Sequence, residues 1–284
     1  MTARIVERKA VGAGRWFPGE KGVLTADVTR YITSATVDPS LFAGKPQVLG
    51  IVCPHAGFEF SGSIAGHSFK AVQVAAGTDP SIPPPSLVVV LGFSHRELFD
   101  GTLLLSGDKF TTPIASSVLD TEAAKVLVDA GAGSIALGVG PHNGEHSAEN
   151  EIPFVQIAFP SARLVVGLVG DHSKMKDTMQ PLVEALVRLR DWANGRKERM
   201  LVVASSDMLH SPDWEHVKRE DAKTLAMMQK LDWKAIAKAW SPSIQVLCGV
   251  APVLALMMYA ERCGATKGIA VKYTNCGEDH PECR

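Results

Sequence analysis

Residues 87–95 read Leu-Val-Val-Val-Leu-Gly-Phe-Ser-His, five branched apolar residues followed by a glycine and, shortly after it, a serine and a histidine. A run so short and so continuously apolar is typical of a β-strand that is covered on both faces. Similar runs, each followed by turn residues, occur at 48–52, 164–169 and 201–204. Together the four runs predict the inner strands of one buried sheet.

Longer amphipathic segments lie between these runs. They occupy residues 61–76, 121–130, 149–159, 175–193 and 214–231. Alternating strand and helix patterns predict an α/β fold with a central sheet sandwiched by helices, and argue against an all-β protein or a helix bundle. Residues 79–86 contain four prolines, but the strand at 87 follows at once, which indicates a loop inside a single domain spanning 1–284.

Charge and composition exclude several classes of function. The 284 residues carry 29 Lys and Arg against 30 Asp and Glu, a net charge of −1, which disfavours nucleic-acid binding through a broad basic face. The longest nearly apolar stretch, 246–260, is shorter than the ~20 residues of a membrane span, so it predicts a buried helix. With five cysteines and no apolar leader near the start, we expect a reducing, cytoplasmic location.

Histidine or aspartate follows each of the four predicted strands. Pro54-His55 follows the first, Ser94-His95 the second and Asp171-His172 the third, while Ser205-Ser206-Asp207 follows the fourth with His210 shortly after. In open α/β sheets, ligands bind outside the carboxyl ends of the strands. If the four strands are parallel neighbours, these side chains converge on one metal or acid–base site.

Two further residues are candidates for the same site. His146 lies near the start of a predicted helix, and Cys248-Gly249 precedes the apolar helix. A thiolate at a helix N-terminus is stabilised by the positive end of the dipole, which suits a metal ligand or a nucleophile. The alternative is that Cys248 is a small buried hydrophobic residue. For Trp16 and Phe17 we expect core packing, although both could line a pocket.

One motif match is set aside on structural grounds. Residues 142–146 fit the H-x-x-E-H pattern of zinc proteases, but that chemistry needs both histidines on one helix face. Pro141 and Asn143-Gly144 predict a turn there instead. A hydrolase with Ser94 or Cys248 as its nucleophile is a distant alternative.

Several short stretches together resemble the Memo family, whose fold is similar to that of class III extradiol ring-cleaving dioxygenases. The matching stretches keep the family's order along most of the chain: AVGAGRWFP (10–18), PHAGFEFSG (54–62), LGFSH (91–95), EHSAENEIP (145–153), VGD (169–171), SSDMLH (205–210) and CGVAP (248–252). The resemblance implies a metal site with His55, His95 and Cys248 as ligands.

The resemblance also implies what surrounds and occupies that site. Asp207, His210 and His146 would lie around the metal as acid–base groups. The dioxygenases hold Fe(II) with two histidines and a carboxylate, and a cysteine in place of the carboxylate implies Fe(II) or Cu(I). His210 is the expected proton donor or acceptor, oriented by Asp207 if the segment is helical. Alternatively, Asp207 caps the following helix.

The leading hypothesis is therefore a non-haem iron or copper oxidoreductase, dioxygenase-like, that acts on a small-molecule substrate. The family's association with signalling suggests an alternative, a non-catalytic module that binds phosphotyrosine peptides, with Arg96 at the rim as an anion-binding group. A further alternative is a copper-binding or copper-buffering protein.

Overall fold

The computed structural model of the protein describes residues 5–44, 47–170 and 175–279. Its strands are β1 (Glu7–Lys9), β2 (Gly50–Cys53), β3 (Leu87–Phe93), β4 (Thr102–Leu105), β5 (Lys109–Thr111), β6 (Ser116–Val118), β7 (Ile135–Gly138), β8 (Arg163–Val169) and β9 (Met200–Ser205). Its α-helices are α1 (Lys21–Ser34), α2 (Phe58–Gly77), α3 (Thr121–Ala130), α4 (Ile152–Ala158), α5 (Met175–Gly195), α6 (Trp214–Gln229), α7 (Trp233–Ala239), α8 (Val250–Arg262) and α9 (Cys276–Asp279). Short 3₁₀ turns occupy Pro39–Phe42, Pro141–Gly144 and Glu149–Glu151.

A central sheet has the strand order β2-β9-β3-β8-β4-β7. The first four of these strands are parallel neighbours, while β4 runs antiparallel to β8 and parallel to β7. The four predicted strands are therefore the parallel part of the sheet, and their carboxyl ends share one edge. A smaller sheet has the order β1-β5-β6.

Helices cover both faces of the central sheet, as predicted. Alternate residues of β3 point to opposite faces of the sheet. Leu87, Val89 and Leu91 pack in the core under α3, α5 and α8. Val88 and Val90 pack in the core on the other face, under α1, α2 and α4. Each buried Val or Leu side chain contributes about 1.5–3 kcal/mol. Burial on both faces explains why the strand is apolar at every position and does not alternate.

Several boundaries differ from those predicted. The predicted helix at 149–159 is a 3₁₀ turn, Glu149–Glu151, followed by α4. Helix α6 ends two residues early, because Leu231 adopts a φ of 54° that no α-helix contains. The apolar stretch 246–260 is a buried helix as predicted, although it begins only after Gly249. Each described helix is too short or too polar to cross a membrane.

Candidate metal centre

The parallel strands bring three of the four predicted strand ends to one place. His55 follows β2 by two residues, His95 follows β3 by two, and Asp207 follows β9 by two. The fourth, after β8, cannot be placed, because Asp171 and His172 lie outside the described residues.

His55 is the most buried side chain of this group, with 1% of its surface exposed. Its Nδ1 lies 2.8 Å from Ser205 Oγ, and its Nε2 lies 3.4 Å from Cys248 Sγ and 4.0 Å from Asp207 Oδ2. Burial lowers the pKa of His55 to about 4, so the imidazole is neutral at neutral pH. Neutral imidazole is the form that binds metal ions.

A count of hydrogen bonds at Ser205 fixes which nitrogen of His55 is protonated. Ser205 Oγ lies 2.5 Å from the carbonyl oxygen of Ser147 and 2.9 Å from Glu151 Oε1. A hydroxyl has one proton, and the Ser147 carbonyl can only accept it. With the hydroxyl proton directed to Ser147, Glu151 can contact Ser205 only as a protonated carboxyl, and burial raises the pKa of Glu151 well above the ordinary value.

The remaining lone pair of Ser205 then accepts the Nδ1 proton of His55. This arrangement leaves the lone pair on Nε2 directed towards the side of the ring where Cys248 lies. Histidine ligands in metal sites are held in the same way, by a hydrogen bond from the nitrogen that does not bind the metal.

Glu145 holds the other two histidines. Its Oε2 accepts the backbone N–H of His95 at 2.7 Å, and its Oε1 lies 3.0 Å from His95 Nδ1 and 3.3 Å from His146 Nδ1. Oε1 also accepts the backbone N–H groups of His146 and Ser147. Burial alone would raise the pKa of Glu145, but the hydrogen bonds from the ring and backbone of His95 outweigh it and lower the pKa to about 2.

The rings form a compact aromatic cluster. His95 and His146 are stacked with centroids 4.8 Å apart, and His55 meets both of them edge-on at 5.4 and 5.6 Å. Trp16 stacks on His146 at 3.7 Å and is 37% exposed, so the expectation of core packing is wrong for Trp16. Phe17 is buried in the core as expected. Burial lowers the pKa of His146 to about 4.

Two groups of three candidate ligands result, and His55 belongs to both. One is His55, His95 and His146, and the other is His55, Asp207 and Cys248; within each group the ligand atoms all lie within 4.8 Å of one another. Of the three predicted ligands, His55 belongs to both groups, His95 only to the first and Cys248 only to the second. The structure supports a candidate metal site with histidine and cysteine donors.

Cys248 has polar neighbours, unlike a buried hydrophobic residue. Its Sγ accepts the backbone N–H of Asp207 at 3.1 Å and is 3.4 Å from His55 Nε2. Burial and then the charge of Asp207 raise the pKa of Cys248 to about 12. The sequence had suggested that the helix N-terminus stabilises a Cys248 thiolate, but this position alone does not do so. A bound cation would favour the thiolate.

Asp207 and His210 form the expected pair, although not on a helix. Asp207 Oδ2 lies 3.5 Å from His210 Nε2, and Oδ1 accepts the backbone N–H groups of His55 and Ala56. Burial would raise the pKa of Asp207, but His210 and His55 outweigh it and lower the pKa to about 2, while Asp207 raises the pKa of His210. The alternative that Asp207 caps the next helix is wrong, because Asp213 caps α6.

Sequence reasoning missed the residues that orient the ligands. Glu145 directly precedes His146, and a carboxylate beside a candidate ligand is a signal that could have identified it. Nothing local indicates that Glu151 reaches Ser205, 54 positions away. His142, set aside above, lies in a 3₁₀ turn with its Nε2 3.0 Å from the carbonyl oxygen of Leu103, where no protease motif can form.

Comparison with known proteins confirms the family resemblance of the sequence. The Memo-like protein family matches residues 8–282 of the chain. A MEMO1 family protein of Methanopyrus kandleri is 28% identical over 277 residues, which cover 96% of this chain and 93% of the relative. A MEMO1 family protein of Aeropyrum pernix is also 28% identical, over 275 residues that cover 95% and 93%. The chain therefore belongs to the Memo family.

Proposed function

We propose that this protein is a metal-dependent oxidoreductase that holds non-haem iron or copper at His55, His95 and Cys248 and handles a small-molecule substrate there. We also assign it the fold of the class III extradiol dioxygenases. The observation that carries the proposal is the position of His55, which is common to both groups of candidate ligands and is held neutral by burial. The free cysteines among the described residues are consistent with a reducing cytoplasm.

The residues present fit a transition metal on two grounds. Nδ1 of His55 faces Ser205 Oγ, and Nδ1 of His95 faces Glu145 Oε1. Both Nε2 atoms are therefore left for coordination. The donor set combines imidazole, carboxylate and a thiol, and imidazole with a soft sulfur donor suits iron or copper. Bound iron or copper would supply one-electron and oxygen chemistry that no side chain provides.

His210, Asp207 and His146 are the proposed acid–base groups. The hydrogen bond to Asp207 raises the pKa of His210 above that of an isolated histidine, which favours His210 as a proton donor to a substrate. A small cavity of about 280 Å³, lined in part by His210, His216 and Cys248, gives small molecules access to this side of the centre.

Metal analysis of anaerobically purified protein tests the proposal. We expect nearly stoichiometric iron or copper in the wild type and its loss in His55→Ala, His95→Ala and Cys248→Ser. His67→Ala and Cys263→Ser, which change a histidine and a cysteine outside the centre, should retain it. No metal after loading with Fe(II) and Cu(I), or zinc alone, would contradict the oxidoreductase assignment.

Oxygen consumption separates the remaining alternatives. Substrate-dependent consumption by the iron-loaded protein supports the oxidoreductase. Tight Cu(I) binding without consumption would identify a copper-buffering protein instead. Binding of a phosphotyrosine peptide to metal-free protein, unchanged in His55→Ala, would identify a signalling module.

A further inference from the structure

A second and larger cavity lies beside the candidate metal centre. Its volume is about 840 Å³, within the range of small-molecule sites. It lies between the outer edge of β2, helices α2, α6 and α8, and the segment 265–275, which follows α8. Its lining is mainly aliphatic, aromatic and methionine side chains, including Phe60, Ile64, Leu225, Met228 and Met257.

Four polar side chains in its wall, those of Trp214, Asp221, Tyr273 and Asn275, are paired with one another. Tyr273 Oη donates to Asp221 Oδ2 at 2.8 Å, and Asn275 Nδ2 lies 3.3 Å from Tyr273 Oη. Trp214 Nε1 donates to Asn275 Oδ1 at 2.5 Å, and the backbone N–H of Leu209 donates to Asp221 Oδ1. These bonds fasten the segment 265–275 to α6 and occupy the polar groups of Asp221, Tyr273 and Asn275.

Asp207 and His210 also line this cavity. Asp207 Oδ1 is occupied by two backbone N–H groups, at 2.7 and 3.2 Å. Within the part of the chain that the structure describes, Oδ2 has only the longer contacts, 3.5 Å to His210 Nε2 and 4.0 Å to His55 Nε2. An ionised carboxylate accepts hydrogen bonds and donates none, so Oδ2 can accept a hydroxyl proton from an occupant and would repel an anionic group.

We propose that this cavity binds an uncharged molecule with a hydrocarbon body and a hydroxyl head, the head lying against Asp207 and His210. That the molecule is the substrate of the neighbouring metal centre rests on the function proposed above, whereas binding itself does not. The hydrocarbon body would pack among α2, α6 and α8, and the hydroxyl would lie next to the side chains of His55 and Cys248, which contact Asp207.

Fluorescence titration with N-phenyl-1-naphthylamine, an uncharged apolar probe, tests the proposal on chelator-treated protein. We expect saturable binding by the metal-free wild type and displacement by 1-decanol. Decanoate should displace the probe at least ten-fold less well, because its carboxylate would meet Asp207. In Asp207→Asn this preference for the alcohol should shrink.

Two neighbouring tryptophan substitutions on α6 locate the bound probe. Leu225 lines the cavity, whereas Ala226 is exposed and lies outside its lining. Leu225→Trp should weaken probe binding at least ten-fold and Ala226→Trp should leave it unchanged, with the circular dichroism spectrum of both variants matching the wild type. Absence of probe binding by the wild type, or equal effects of the two substitutions, would overturn the proposal whether or not the protein binds metal.

Discussion

Glu145 and Asp207 are the two carboxylates of the candidate centre, and they hold histidines in different ways. Glu145 contacts the side chains of His95 and His146 and is almost fully occupied, with both oxygens in hydrogen bonds. Asp207 Oδ1 accepts the backbone N–H of His55, and Oδ2 stays accessible to His210 and the large cavity. We infer that Glu145 fixes geometry, whereas Asp207 takes part in binding and proton transfer.

The largest expected effect separates the two carboxylates by stability. Glu145→Ala leaves three backbone N–H groups and the Nδ1 of His95 without an acceptor, and the free energy of unfolding should fall by about 4 kcal/mol. Asp207→Ala removes the acceptor of two backbone N–H groups and should cost about 2 kcal/mol. Urea unfolding of the metal-free variants measures both.

Glu145→Gln is the matched control, because the amide retains one acceptor oxygen in the same shape. It should lose less than Glu145→Ala. Equal losses for Glu145→Ala and Asp207→Ala would show that Glu145 has no special structural role.

As the pH falls, the buried histidines His55 and His146 should be protonated before the carboxylates Glu145 and Asp207 are. Burial lowers the pKa of His55 and His146 to about 4, against ~6.5 in an unfolded chain. Below pH ~6.5 the unfolded chain takes up protons on these two histidines that the folded chain does not, so each ring lowers stability as the pH falls from ~6.5 to ~4, by about 3 kcal/mol for the fully buried His55. Glu149 and Glu151, whose pKa burial raises, contribute in the opposite direction. The carboxylates Glu145 and Asp207, with pKa values of about 2, contribute to acid sensitivity only at lower pH.

Urea unfolding of metal-free protein at several pH values between 7.5 and 4.5 measures this loss. Burial also lowers the pKa of His142 to about 4, so His146→Gln removes one of three such rings and should reduce the loss of stability at acid pH. His67 lies on α2, outside the centre, so His67→Gln should show the same pH dependence of stability as the wild type. An identical pH dependence in His146→Gln and in the wild type would contradict the buried, neutral state of the His146 ring.

The contrast between the two carboxylates also shows how far the sequence could be interpreted. The inner strands were predictable because β3, β8 and β9 are buried on both faces and their residues are apolar throughout. Their parallel order explains why His55, His95 and Asp207 could be placed at one edge. The position of Glu145 next to His146 is a local signal, whereas no local pattern encodes the contact of Glu151 with Ser205, 54 residues away. Strands β4 and β7 are four residues long, too short for a periodic signal.

A smaller effect is expected where a neutral hydroxyl, not a carboxylate, orients the ligand. Ser205→Ala leaves both the Nδ1 proton of His55 and the proton of Glu151 without an acceptor in a buried site, at a cost of about 2 kcal/mol. Nitrogen-15 NMR of the wild type should show the His55 tautomer with the proton on Nδ1, and Ser205→Ala should show a mixture. An Nε2-protonated His55 in the wild type would contradict the hydrogen-bond count at Ser205.

The smallest expected effect concerns Trp16, which stacks on His146, one of the two histidines that Glu145 holds. Trp16 stacks on His146, which in turn stacks on His95, whereas no ring covers His210 among the described contacts. Trp16→Ala should cost about 1 kcal/mol of stability, and Trp16→Phe less, because an aromatic ring would still cover His146. If Trp16 positions the ring, Trp16→Ala should also weaken metal binding, and Trp16→Phe should largely restore it. A stability loss with unchanged metal affinity would reduce Trp16 to a packing residue and leave Glu145 alone as the group that orients His146.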